Sequence, residues 1–104
     1  MRIVWSPLSI ERVEEISLYI SNDSPLAAQG WVEEIFDYVS SLETFPELGR
    51  RVPEINKNNY RELIFGNYRI VYRIDEKRIF ILTVRHFKQI LPIKEIKNTS
   101  EEIK

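Results

Sequence analysis

The sequence contains no cysteine, a single histidine and a single methionine in 104 residues, and only three glycines. Without cysteine there can be no disulfide, no thiolate metal site and no cysteine nucleophile, and one histidine, His86, cannot supply a cluster of imidazole ligands. Neither a metal nor a cofactor is therefore expected. Long hydrophobic runs are also missing. The longest apolar stretch, Ile79 to Val84, is far too short to span a bilayer. The opening Met1-Arg2-Ile3-Val4-Trp5 leads straight into a charged helical pattern rather than a targeting segment. These features predict a cytoplasmic protein with no membrane partner. With 43% hydrophobic residues, a chain of this length can still bury a core.

The formal net charge of -1 conceals an asymmetry. Residues 1–44 carry Arg2 and Arg12 against eight acids, a balance of -6, whereas residues 45–104 carry thirteen Lys/Arg against eight acids, a balance of +5. If the two halves form different layers, one surface is acidic and the other basic. A basic layer suits a polyanion or an acidic partner, although two ordinary solvated faces would read the same way.

Arg2 to Trp5 has the β-branched and aromatic character of a short strand. Ser6-Pro7 and Ser24-Pro25 are helix-start signals: serine caps an orphan N–H, and proline at the first helical position has no N–H to lose. After the first signal, Ile10, Val13, Ile16 and Ile20 share one face. After the second, Ala28, Trp31, Val32, Ile35, Val39 and Leu42 do so. The first helix should end near Ser21-Asn22-Asp23, and so short a connection predicts an antiparallel helical hairpin.

Thr44 to Asn59 has loop composition and carries Arg50-Arg51. Tyr60–Phe65 and Tyr68–Ile74, separated by Gly66-Asn67, predict a β-hairpin closed by a type II′ turn. Arg78–Val84 is apolar almost throughout, which predicts a central strand covered on both faces. The expected fold is α+β: an N-terminal strand and a helical hairpin packed on one face of a mostly antiparallel four-stranded sheet. Residues 1–97 read as one domain and residues 98–104 as a polar C-terminal tail.

Several segments carry a resemblance: Gly49-Arg50 ahead of Val52-Pro53-Glu54, Arg61-Glu62-Leu63, Tyr68-Arg69-Ile70-Val71-Tyr72-Arg73, and Val84-Arg85-His86. In this order and spacing, and over nearly the whole chain, they resemble the RelE/ParE superfamily of type II toxin-antitoxin toxins. "GRRVPE", "REL" and "VRH" are closer to the ParE branch. The resemblance implies a growth-inhibiting toxin, of the kind linked to plasmid stabilisation, that is neutralised by a cognate antitoxin and binds a target such as DNA gyrase. RelE-like members instead cut mRNA on the ribosome, and a degenerate member that keeps the fold without toxicity is a third reading. An apolar groove covered by antitoxin is also implied, as is assembly into a homodimer or a toxin-antitoxin hetero-oligomer.

RNA cleavage by the adjacent 2′-hydroxyl needs a base, cations on the scissile phosphate and an acid for the leaving oxygen. If the chain is a nuclease, the candidates are Arg69, Arg61, Arg85 and His86. Leu63 and Phe87 stand where RelE-like enzymes tend to place further functional groups. Neighbouring Arg85 and Lys88 favour a neutral His86, suited to a general base, while a strand-end histidine bonded to backbone is the structural alternative. For target or antitoxin binding, the candidates are Arg50, Arg51, Arg69 and Arg73. Arg69 and Arg73 point to one side of their strand, with Val71 between them, and could bind phosphate, pair with Glu62 across the hairpin, or meet acidic side chains of an antitoxin. Tyr68 and Tyr72 face the other way, into the expected core, and Trp5 and Trp31 belong to apolar patterns.

Overall fold

The computed structural model describes residues 1–102. Strand β1 (Arg2–Trp5) leads into helix α1 (Pro7–Ser21) and helix α2 (Pro25–Ser40), followed by a short 3-10 turn at Ser41–Glu43. Strands β2 (Arg50–Arg51), β3 (Tyr60–Phe65), β4 (Tyr68–Ile74) and β5 (Arg78–His86) come next, and helix α3 (Ile93–Glu102) follows them. The sheet order is β1-β5-β4-β3-β2. β1 runs parallel to β5, and every other pairing is antiparallel.

Both helix starts form as the Ser-Pro pairs require. Ser6 Oγ accepts from the Ser9 amide at 3.0 Å and Ser24 Oγ accepts from the Ala27 amide at 3.1 Å. Ser6 does more than cap, because its hydroxyl also donates to the Leu82 carbonyl at 3.0 Å and so ties the start of α1 to the central strand. In the β3–β4 turn, Gly66 has φ +57, the left-handed backbone that a II′ turn asks of its first central residue.

Two apolar clusters lie on opposite faces of the sheet. On the α1/α2 side, Val13, Ile35, Val39 and Leu42 pack on Leu63, Ile70, Tyr72, Ile79, Ile81 and Val84. Tyr68 on β4, Trp5 on β1 and Trp31 on α2 border this cluster. On the other side, Val52, Val71, Phe80, Leu82, Leu91 and Ile96 form the second cluster. β5 lies between β1 and β4, and its buried run Ile79–Val84 is covered from both sides, as a continuous apolar strand demands.

Two elements differ from expectation. The sheet has five strands rather than four, because Arg50-Arg51 joins the edge of β3. That strand has no apolar alternation to announce it and exists through its pairing with Arg61 and Glu62. A third helix, α3, covers the face opposite the hairpin and runs through residues assigned above to the polar tail, burying Thr99 and Ser100. Residues 103–104 of that tail lie outside the described residues. α3 is held largely by polar contacts: Tyr60 Oη with Ser100 Oγ at 3.0 Å, and Glu95 with Arg12 and Arg85 at 2.7 and 2.8 Å.

The two serine caps should be unequal. Ser24→Ala is expected to cost about 1 kcal/mol. Ser6→Ala should cost more, because it also leaves a buried carbonyl short of a partner, adding about 1 kcal/mol. Urea denaturation of the two variants measures the difference, and equal losses would show that the Leu82 bond contributes nothing.

Candidate functional site

Three arginines of the basic half, Arg50, Arg69 and Arg85, are drawn into ion pairs with acids of the same half. Arg50 and Arg69 meet at the carboxylate of Glu62 on β3, whose side chain is 0% exposed. Arg50 lies directly opposite Glu62 in the β2–β3 register and donates from Nε at 2.8 Å and from Nη2 at 2.7 Å to Glu62 Oε2. Arg69 lies one strand over, diagonal to Glu62, and donates from Nε at 2.9 Å to Oε1; its Nη2 also pairs with that oxygen. The outer edge of the Arg69 fork is taken by Glu54, with Nη1 to Oε2 at 2.7 Å and Nη2 to Oε1 at 2.9 Å. Two carboxylates thus occupy this guanidinium, whose side chain is 6% exposed.

Each partner perturbs the other as electrostatics requires. Hydrogen bonds from Arg69 are the main cause holding the Glu54 carboxyl at about 2, against an ordinary 4.5, and the Leu91 amide adds to them. Hydrogen bonding to Glu54 is likewise the largest cause raising Arg69 above its usual value.

The loop carrying Arg50 is pinned from beneath. Tyr72 Oη accepts from the Gly49 amide at 2.9 Å and donates to the Pro46 carbonyl at 2.7 Å. Burial pushes the Tyr72 phenol up, so it remains a donor. Gly49 itself lies so close to β3 that an added Cβ would sit 2.5 Å from the Glu62 carbonyl oxygen and 2.8 Å from Tyr72 Oη. The glycine is needed here for closeness, and that closeness brings Arg50 to Glu62.

The other candidate residues are dispersed. Arg61 bonds the Gly49 carbonyl at 2.8 Å and Asn58 at 2.8 and 3.1 Å, serving the same loop. Arg51 is exposed and reaches only Asn58 Oδ1, at 3.5 Å. Arg85 faces Arg69 across the β4–β5 ladder and is paired with Glu95 of α3, which also binds Arg12. Without these acids, two arginines side by side would repel. Arg73 lies under α3, bonded to Ser100 and stacked 4.9 Å from the centre of the Phe80 ring.

His86 is edge-on to Tyr68 and stacked on Phe87. Its Nδ1 accepts from the Lys88 amide at 3.2 Å, so the neutral ring carries its proton on Nε2. In that tautomer Nε2 is a donor rather than a base. The pairing of Arg69 with Glu62, one of its three sequence alternatives, is the one the structure contains. Glu54 and Glu95 were not among the candidates. Glu54 stands inside the motif Val52-Pro53-Glu54, but nothing in local spacing links it to Arg69, fifteen residues later. Among the described residues, no group of three or more His, Cys, Asp or Glu is placed to hold a metal ion, and no helix is long and apolar enough to cross a membrane.

With this arrangement in view, the similarities to known proteins are informative. Residues 3–91 match the model of the ParE toxin of type II toxin-antitoxin systems, parDE. The chain belongs to the ParE toxin family. A relative from Sinorhizobium fredii, "Putative toxin Y4kP", is 39% identical over 93 residues, which is 88% of this chain and 93% of that protein. Among solved structures, a chain of the chromosomal ParDE TA system from P. aeruginosa superposes with a TM-score of 0.69 at 21% identity, covering 83% of this chain and 95% of that one. At that identity the superposition speaks for a shared fold. This ParE-family toxin therefore carries the α+β architecture of its relatives with the Glu62 network built into its sheet.

Two predictions follow from the network. Arg69→Ala leaves the Glu62 carboxylate buried beside an empty space and should destabilise the protein by about 3–5 kcal/mol, measured by urea denaturation. Because the folded Glu54 titrates below its unfolded value, the stability it contributes is fully present above pH 4.5 and is lost as pH falls from there toward about 2. Glu54→Gln should flatten that part of the stability–pH curve, and an unchanged acid limb would place the titration elsewhere.

Proposed function

We propose that this toxin arrests growth by binding its target, with DNA gyrase as the target class, and that a cognate antitoxin neutralises it. The observation carrying this reading is the saturation of Arg69. The arginine best placed by sequence to clamp a scissile phosphate is buried and already bonded to two carboxylates. Arg85 is likewise paired, and the neutral His86 tautomer is not a base at Nε2. Cleavage of mRNA in the RelE manner would need these groups free and convergent. A binding mode needs exposed ones, and Arg50 and Arg51 on the edge strand are exposed cations held in a defined position by Gly49 and Tyr72. Arg69 then serves indirectly, by holding Glu62 and through it Arg50, while Arg73 remains a candidate beneath α3.

The test is induction of the chain alone in a bacterial culture, with primer extension on abundant mRNAs and a gyrase supercoiling assay on purified protein. The expected result is arrest with intact mRNA, inhibited supercoiling, and restored growth when the antitoxin is co-expressed. Arg51→Glu, a surface change, should weaken target binding about tenfold while leaving the fold intact. Codon-phased cuts in mRNA would replace this reading with the nuclease one, and folded protein without arrest would identify a degenerate member.

A further inference from the structure

On the sheet face opposite the helical hairpin, α3, the loop before β3 and the ends of β3 and β4 line an open pocket of about 520 Å³. Lys57 from the loop, Arg73 from β4 and Lys97 from α3 converge on it, against one acid, Glu101. Neither lysine forms an ion pair among the described residues.

Arg73 is held in place yet keeps an open edge. Its Nη1 is committed to the Ser100 carbonyl, at 3.0 Å, and to the Ser100 hydroxyl, and its plane lies over Phe80. Its Nε and Nη2 have no acceptor among the described residues, and neither is a buried orphan. That edge is the fork that grips two oxygens at once. Three cations from three separate elements exceed what a single carboxylate needs, and they suit a group with several anionic oxygens. Besides Ser100, the rest of the lining is Ile55, Tyr60, Ile93 and Ile96, and the volume lies in the range of small-molecule sites.

We propose that this pocket binds the phosphate of a small ligand with a planar or apolar body, the class to which nucleoside phosphates belong. The phosphate meets the open edge of Arg73 between Lys57 and Lys97, and the body lies toward Tyr60 and Ile93. The site is separate from the Arg50–Glu62–Arg69–Glu54 network and does not rest on the gyrase reading. Helix α3 supplies five of the nine lining residues and lies beyond residue 91, where the family match ends.

Isothermal titration of the purified full chain with AMP, ATP, adenosine, inorganic phosphate and a short single-stranded oligonucleotide tests the proposal. The expected result is saturable binding of AMP and ATP, competition by inorganic phosphate, and adenosine weaker by about tenfold or more. The double variant Lys57→Glu/Lys97→Glu, at two exposed positions, should lower nucleotide affinity by at least about tenfold, with an unchanged circular dichroism spectrum and melting temperature. No saturable binding of any phosphate compound, or binding undiminished in the folded double variant, would overturn the proposal. So would binding of the oligonucleotide alone, which would assign the cations to a nucleic-acid backbone.

Discussion

A carboxylate with no access to water organises the basic half of this protein. Glu62 is fully buried on β3, where an isolated charge would be costly, and it is tolerated because arginines approach it from both sides. Much of the local structure meets that requirement. Arg50 must be brought in, which calls for a fifth strand and for the close approach of Gly49. Arg69 must be turned inward, and its remaining donors then need Glu54, whose carboxylate in turn receives the Leu91 amide. The chain between residues 50 and 91 is thereby tied together by a continuous set of charge-assisted bonds.

This arrangement changes how the positive charge of the second half is to be read. A count of thirteen Lys/Arg suggests a cationic face. Folding turns Arg50, Arg69 and Arg85 into partners for acids of their own half, and Arg12 crosses from the acidic half to share Glu95. Outside these ion pairs stay Arg51 on the sheet edge, Arg73 under α3, and the exposed Lys57, Lys77, Arg78, Lys88, Lys94 and Lys97. The paired arginines are fixed in place by their acids, and the open cations are those free to meet a partner.

The elements legible in advance were those whose information is local. Ser-Pro caps, helical stripes ending at Leu42, the Gly66-Asn67 turn and the unbroken apolar run of β5 each carry their signal within a few residues. The two elements not anticipated lack such a signal. β2 consists of two arginines, whose strand geometry comes from partners ten and twelve residues away, and α3 has a single deeply buried aliphatic residue, Ile96, beside an exposed Ile93 in a mostly polar sequence. The candidate site was legible only in part: its arginines could be named from their motifs, but the acids that occupy them could not.

From the sequence alone came the starts of the first two helices, the β3–β4 hairpin, the absence of cysteine chemistry, the α+β class and the family resemblance, because each depends on residue type and short-range spacing. What only the tertiary structure decided was the state of each charged side chain. Whether Arg69 faces a ligand or Glu54 depends on bringing together residues fifteen positions apart through a loop with no regular periodicity. Whether Arg73 keeps an open edge depends on a helix that docks from the far end of the chain. Sequence sets the charges, but burial and pairing across elements decide which of them remain available to act.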